Sequence, residues 1–479
     1  MANILIITTE LTSLKGLPTG GRGVRVQNLA DGLKSHNHNV IMSFLNDSIS
    51  RIETIGKISV PEEFKKYGHN YCYDKIISKV RPDIIIFSPW MLAISYDAKK
   101  FKTIPVVLDM PGMITLENIY DKMENDFDFL AKKIHTFNKS DLFCVSNQRQ
   151  KYYLYSLLLM SGIDINEKSV ILSPISYTDN IPEHKKYPSP PTYIFSGVLW
   201  NWQNYGDSLS NIAGYLAKNG GEFEIYCGNF LYAETSRSLN ELKRFESVKL
   251  NGLIEHDALL QKYIQSSVAV ELYLPNPERE LATTTRTLEY IWSGLPVIYS
   301  KGMYLAEFIK EYDAGWVIDP LDSDELLKVL NEINLRPEIC AEKGANAQKL
   351  LKERFNNYSA VQELSDFCDN PRKLNNVDTF ISVLCGETLQ KTEEIKYYKN
   401  TLFPQLENKD KEISDLNREK NNLIDKSSFY ENEIVRLNNE KFEILNDLNR
   451  IKNRVVFRIL LRMKKILELF RDLVLLRKV

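Results

Sequence analysis

The chain has 479 residues, 43% of them hydrophobic and 26% charged. At roughly 150 residues per domain, such a length suggests about three units. Lys plus Arg (61) nearly balances Asp plus Glu (63), so no whole-chain field favours nucleic acid or another polyanion.

The opening run Met1-Ala2-Asn3-Ile4-Leu5-Ile6-Ile7 lacks the basic region and small-residue cleavage site of a secretory signal, and it reads as a first strand. No segment reads as a transmembrane helix, so the expected place is the cytoplasm. From there to about residue 185, short apolar runs alternate with helix-length stretches: Ile4–Thr8, Val40–Phe44, Ile84–Phe87, Val106–Leu108 and Leu142–Val145. Runs of Val, Ile, Leu and Phe without polar alternation suit parallel strands buried on both faces. Strands separated by helices imply βαβ units.

Four prolines between Pro182 and Pro191 preclude a helix or inner strand there and mark a linker. The alternation then resumes with Thr192–Ser196, Glu224–Cys227, Val248–Leu250, Val268–Leu272, Pro296–Tyr299 and Gly315–Ile318. Ser208–Lys218, Asp257–Gln265 and Arg286–Ser293 read as helices between them. The fold class is therefore α/β: two Rossmann-like, doubly wound domains, 1–185 and 186–365. Ligands of such sheets sit beyond the C-terminal strand ends, here in the cleft between the domains.

Residues 366–400 read as a helical crossover and 401–455 as a long coiled coil. One heptad register runs Leu416, Leu423, Tyr430, Leu437, Ile444, Ile451; its companion runs Ile413, Lys420, Ser427, Ile434, Lys441, Leu448, Val455. The expectation is a homo-oligomer joined through that coil. The tail, 452–479, has nine basic and two acidic residues, a net charge of +7, among many Leu, Ile, Val and Phe. Arg454, Arg458, Arg462 and Lys465 form a basic stripe. Such a helix either lies on an anionic membrane surface or continues the coil.

Six dispersed cysteines, without a C-x-x-C pair, and six dispersed histidines give neither a disulfide framework nor a metal site. Asp126-Phe127-Asp128 and Asp322-Ser323-Asp324 match D-x-D, but the second precedes a helix and reads as its N-cap. After the first strand comes Leu17-Pro18-Thr19-Gly20-Gly21-Arg22-Gly23, with a helix starting near Val24. The loop is either a tight connection or a place where backbone approaches an anion, with Arg22 and Arg25 adding charge. It is neither G-x-G-x-x-G nor a Walker loop, which counts against hydride transfer and ATP hydrolysis.

The segment Pro277-Glu278-Arg279-Glu280-Leu281-Ala282-Thr283-Thr284-Thr285-Arg286-Thr287-Leu288-Glu289 is the most informative. Thr284 and Thr285 open a helix whose amides suit a phosphate, and Arg286 lies in its first turn. Glu289, about a turn along, suits a ribose diol. Diphosphate plus ribose describes a nucleotide-sugar donor. Asp109 follows Val106-Val107-Leu108 at a strand end facing the cleft, where it either serves an acceptor hydroxyl as a base or caps a turn.

These residues, together with Ser196-Gly197, Tyr226-Cys227-Gly228 and Leu250-Asn251-Gly252-Leu253-Ile254, resemble a GT-B glycosyltransferase of the retaining family 4 group over roughly residues 3–365. The resemblance implies that Gly21, Arg22, Gly197, Leu253, Ile254, Thr284, Thr285, Arg286 and Glu289 bind the donor. Its E-x7-E pattern has Leu281 where the first Glu belongs, so the neighbouring Glu280 is the candidate beside the transferred sugar, with Asp109 the second catalytic candidate. It implies a UDP- or GDP-linked sugar as substrate and no metal or other cofactor. The acceptor would be a glycan or lipid-linked glycan of a bacterial surface polysaccharide, reached from the inner membrane face. The family usually has an Arg and a Lys after the glycine of the second domain; here the run is Gly197-Val198-Leu199-Trp200-Asn201-Trp202-Gln203-Asn204, and Arg22, Arg25, Arg279 or Arg286 would substitute. A sugar-nucleotide 2-epimerase and a non-catalytic GT-B scaffold acting through its coil are the alternatives.

Overall fold

The structure, a computed structural model, describes residues 1–12, 18–56, 59–121, 126–165, 168–183, 187–198, 200, 202–228, 241–374, 376–422 and 428–476. Leu17, Leu199, Asn201, Leu423, Ser427, Arg477 and Lys478 lie outside the described residues, as do the side chains of Asp126, Asp128, Lys420, Tyr430 and Arg471. Residues 1–382 form one compact unit and 383–479 a second.

The first unit contains two six-stranded sheets in which every pairing is parallel. The first comprises β1 (Asn3–Thr8), β2 (Asn39–Phe44), β3 (Ile84–Ser88), β4 (Val106–Met110), β5 (Leu142–Val145) and β6 (Val170–Leu172), in the order β2-β1-β3-β4-β5-β6. The second comprises β7 (Thr192–Gly197), β8 (Glu222–Cys227), β9 (Val248–Asn251), β10 (Val268–Glu271), β11 (Val297–Ser300) and β12 (Gly315–Ile318), in the order β12-β11-β10-β7-β8-β9. This is the α/β GT-B-like architecture.

Every residue of β3, β4, β5, β10 and β11 is buried, as strands covered on both faces must be. Such strands need uninterrupted apolar runs, which is why their positions were readable. The short edge strand β6, Val170-Ile171-Leu172 between Ser169 and Ser173, was not read from the sequence. The chain order reverses beside β1 in the first sheet and beside β7 in the second, so crevices open between β1 and β3 and between β7 and β10.

The return to the first domain begins before residue 366. Tyr177 bridges Asn356, and Val361, Leu364, Phe367 and Cys368 are buried with Ile4, Ile6, Leu29 and Leu33 of the first sheet layer. Each such side chain contributes about 1.5–3 kcal/mol. Gly32 makes the crossing possible, since a Cβ there would lie 2.5 Å from the Asn357 carbonyl oxygen.

The second unit is not one continuous coil. Helices Phe380–Asn422 and Ser428–Leu476 fold back on each other. Glu387 pairs with Arg462, Lys409 with Glu440 (3.8 Å) and Asp410 with Lys441, so partners descend one helix as they ascend the other. Ile413 and Leu416 pack against Ile434 and Leu437. Four residues of the expected heptad seam thus pack against one another within one chain, and Arg462 of the basic stripe takes an ion pair with Glu387. Among the described residues, no helix is long and apolar enough to cross a membrane.

Candidate nucleotide-binding site between the two sheets

At the crevice of the second sheet, β7 ends in Gly197 with φ +111°, a backbone conformation that side-chain-bearing residues rarely adopt. A Cβ on Gly197 would lie 2.6 Å from Nη1 of Arg286, so the guanidinium rests directly against this glycine. Arg286 donates to the Ser196 carbonyl, and its Nε is 3.5 Å from Oε2 of Glu271 at the end of β10. Its centre also lies 5.3 Å from the Phe195 ring and 5.9 Å from the Tyr273 ring. Glu271 is wholly buried; burial pushes its carboxyl above the usual range, and the charges of Arg286 and Arg279 only partly pull it back. The Arg286 side chain stays 14% exposed, and it stands where the resemblance expects a cation.

Two helix N-termini meet beside it. The helix Thr285–Trp292 follows the N-cap Thr284, whose hydroxyl binds that of Thr287 and caps no backbone amide. The helix Gly21–Ser35 follows Gly20, so it starts before the expected Val24 and takes the glycines into its first turn. Neither N-cap residue supplies a side-chain hydrogen bond. A Cβ on Gly21 would meet Oγ1 of Thr285 at 3.2 Å, which places the two ends in near contact. First-turn amides and aligned peptide dipoles make such ends anion-seeking, and at the helix Gly21–Ser35 the Glu10 carboxylate already takes one of those amides.

Across the cleft, Asn147 Nδ2 donates to the carbonyl of Leu281 (2.8 Å) and to Thr283 Oγ1 (3.0 Å), and Gln150 Nε2 donates to the Leu281 carbonyl (2.9 Å). These bonds hold Leu281–Thr283 against the first domain. Glu10 was overlooked in the sequence: Oε2 accepts from the Gly23 amide at 3.3 Å, and Oε1 lies 3.9 Å from Arg22 Nη1. Arg22 remains well exposed.

Glu289 is buried on the helix Thr285–Trp292, where its Oε1 lies 2.8 Å from Nε2 of His256. His256, which begins the helix His256–Gln265, carried no signal in the sequence because its partner is 33 residues away. Burial opposes the charged imidazole, yet the hydrogen bond and charge of Glu289 prevail and raise its pKa above the usual 6.5. The charged pair is therefore complete below about pH 6.5 and reverts to a neutral hydrogen bond as pH rises through the raised value. Leu253 and Ile254, both half-buried, immediately precede this helix, and Leu253 packs against Gly228.

Other predicted site residues are drawn elsewhere. Asp109 is fully buried: its Oδ1 accepts from Arg25 Nη2 (2.9 Å), and its Oδ2 accepts from Arg25 Nε (3.4 Å) and Ser88 Oγ (2.7 Å). Arg25 also donates to Ser173 Oγ (3.0 Å) and the Pro174 carbonyl (2.6 Å). Both groups are engaged in tying the ends of β3 and β4 to the helix Gly21–Ser35, and in this arrangement both are closed to solvent. Glu280 is exposed on the outer side of the short helix Pro277–Leu281; Glu278 points inward instead and holds Arg279 through two hydrogen bonds, one of 2.7 Å. Of the four candidate cations, Arg22 and Arg286 remain at the site. Asp322 accepts from the amides of Asp324 and Glu325, the cap its sequence suggests.

No family model and no curated protein matches the chain. Solved structures resemble it at low identity. A sucrose-phosphate synthase from Thermosynechococcus elongatus superposes with TM-score 0.55 and 13% identity, over 77% of this chain and 98% of its own. Anabaena HepE in complex with UDP-glucose gives TM-score 0.53 and 15% identity, over 77% of this chain and all of its own. An α-glucosyltransferase in complex with UDP gives TM-score 0.53 and 13% identity, with the same coverage. At this identity the likeness is one of fold.

Proposed function

We propose that the chain is a glycosyltransferase that takes a sugar from a nucleoside-diphosphate donor. One observation carries this reading: Gly197, Arg286 and the N-termini of two helices, one of them engaged by Glu10 through the Gly23 amide, converge at one cleft position. A diphosphate suits that arrangement, with its charge met by Arg286, Arg22 and first-turn amides. The nucleoside extends toward Leu253 and Ile254, where Glu289, held by His256, accepts from the ribose hydroxyls. Among structures of the same fold, one named an α-glucosyltransferase and one in complex with UDP-glucose add support by analogy.

The reaction follows the retaining course. The bond from the anomeric carbon to the diphosphate breaks with its electron pair going to the phosphate oxygen. The acceptor oxygen bonds the same face, and its proton passes to that departing oxygen. The protein's contribution is to stabilise charge on the leaving group, and no metal is required. Nucleotide release from a panel of UDP-, GDP-, dTDP- and CMP-sugars, with and without EDTA, tests this. Release from one donor should survive EDTA and fall about 100-fold in Glu289→Ala, the scale of a lost charged hydrogen bond. No release from any donor, with membrane extract as acceptor, would leave the scaffold reading standing.

The acceptor class we infer is a lipid-linked glycan, and the second unit supports it. Val456, Leu460, Met463 and Leu467 are exposed and, at about 3.6 residues per turn, line one side of their helix. Lys452 and Lys464 border that stripe, while Arg454, Arg458 and Lys465 lie on the opposite side. An apolar stripe with bordering lysines suits a lipid interface. Changing these four apolar residues to serine spares the half-buried Val455, Ile459 and Ile466. The variant should lose binding to anionic vesicles and keep activity on a soluble acceptor. Undiminished vesicle binding would contradict membrane contact through this stripe.

A further inference from the structure

The loop after β7 carries a feature that the donor site does not use. Trp200 and Trp202 stack in parallel, with ring centroids 5.1 Å apart and planes 4° from parallel. Trp202 is buried, whereas Trp200 is 40% exposed; the other tryptophans of the chain are buried or half-buried. The outer indole therefore presents an apolar, electron-rich surface to solvent with a second indole beneath it.

The pair is rigidly mounted. The Gln203 amide donates to the Trp200 carbonyl (2.9 Å). Asn276 Nδ2 donates to the Trp202 carbonyl (2.8 Å), and the Leu274 amide donates to the Asn204 carbonyl (2.7 Å). The loop is thereby fastened to the segment that follows β10. With its amide oriented by its neighbours, Gln203 donates to the Val198 carbonyl (2.9 Å) and accepts from Arg286 Nη2 (3.3 Å). One side chain thus links the indole-bearing turn to the guanidinium at the cleft.

Strand order fixes which end of a bound donor the platform faces. Leu253 and Ile254 follow β9, which is separated from β7 by β8, while β10 lies on the other flank of β7. Neighbouring strands are about 4.8 Å apart, so the Leu253–Ile254 loop starts roughly 10 Å to one side of Gly197. Trp202, on which Trp200 stacks, is tied to the other side. A ligand with its nucleoside toward Leu253 and its diphosphate at Arg286 therefore points its sugar toward the indoles.

We propose that Trp200, backed by Trp202, is a stacking platform for a pyranose ring. The C–H-rich face of a pyranose meets the electron-rich indole face, while the hydroxyls at the ring edge stay in water. The ring belongs either to the donor sugar or to the terminal residue of the acceptor. The assignment of the ring's direction rests on the donor reading above; the platform itself does not require a nucleotide.

The test is calorimetric titration of the full chain and its Trp200→Ala and Trp200→Phe variants. The probes are UDP, GDP, UDP-glucose, UDP-N-acetylglucosamine, GDP-mannose and a series of methyl pyranosides. Trp200→Ala should weaken a sugar-bearing probe about tenfold and Trp200→Phe less, with free UDP and GDP unchanged. Loss confined to a nucleotide sugar assigns the donor ring; loss confined to a methyl pyranoside assigns the acceptor ring. Equal weakening of a nucleotide and its sugar conjugate overturns the proposal, as does unchanged binding of every sugar-bearing probe. A wild-type chain that binds no sugar-bearing probe overturns it too. A chain that binds pyranosides through Trp200 but no nucleotide would refute the donor reading and leave the platform intact.

Discussion

Replacing Arg286 by methionine is expected to lower nucleotide release from the accepted donor by about 100- to 1,000-fold, the range found when one preorganised donor to a developing charge is removed. The expectation rests on position: the guanidinium touches Gly197 and is 14% exposed, anchored from behind by Glu271 and the Ser196 carbonyl. A lysine should recover only part of the activity, because a single ammonium cannot bind the Ser196 carbonyl and a phosphate with the same fork. Fold loss is the competing explanation, since Arg286→Met leaves the buried Glu271 without its cation. The double variant Arg286→Met/Glu271→Gln removes that stranded charge. It should melt near wild type while remaining inactive in donor release. Wild-type release by that double variant would show that Arg286 only supports the fold.

The second large effect is on stability. Asp109→Asn should destabilise the first unit by about 3–5 kcal/mol, because it strands the Arg25 charge in a site where that side chain is 1% exposed. In a unit of this size the melting point should fall by roughly 5 °C. The paired change Arg25→Met/Asp109→Leu removes both charges and should recover most of the loss, as replacement of buried ion pairs by apolar side chains commonly does. This cycle also decides the chemistry. A recovered double variant that still releases nucleotide identifies the pair as a clamp between β3, β4 and the helix Gly21–Ser35. A recovered fold without activity would return Asp109 to the role of base.

Much of the architecture was legible because its causes are local. A strand buried on both faces must be apolar at consecutive positions, and Ile84–Phe87 or Leu142–Val145 declare that without reference to distant chain. The threonine-opened helix was readable for the same reason, since Thr284 and Thr285 sit where a helix start needs small polar residues. Asp322 likewise announced the cap it forms.

Roles that depend on a partner far along the chain were decided only by tertiary structure. Asp109 looks like a cleft carboxylate until Arg25, 84 residues away, closes on it. Glu289 acquires His256 across 33 residues, and nothing in the spacing names that histidine. Glu278 and Glu280 are chemically alike, yet a helix turns by about 100° per residue, so one faces Arg279 inside and the other faces water. The heptads show the same limit at larger scale. A period of seven specifies an apolar seam, but the same seam serves a second copy or the chain's own return. In this protein Ile413 and Leu416 meet Ile434 and Leu437 of the same chain, because periodicity encodes which face is buried and not whose surface buries it.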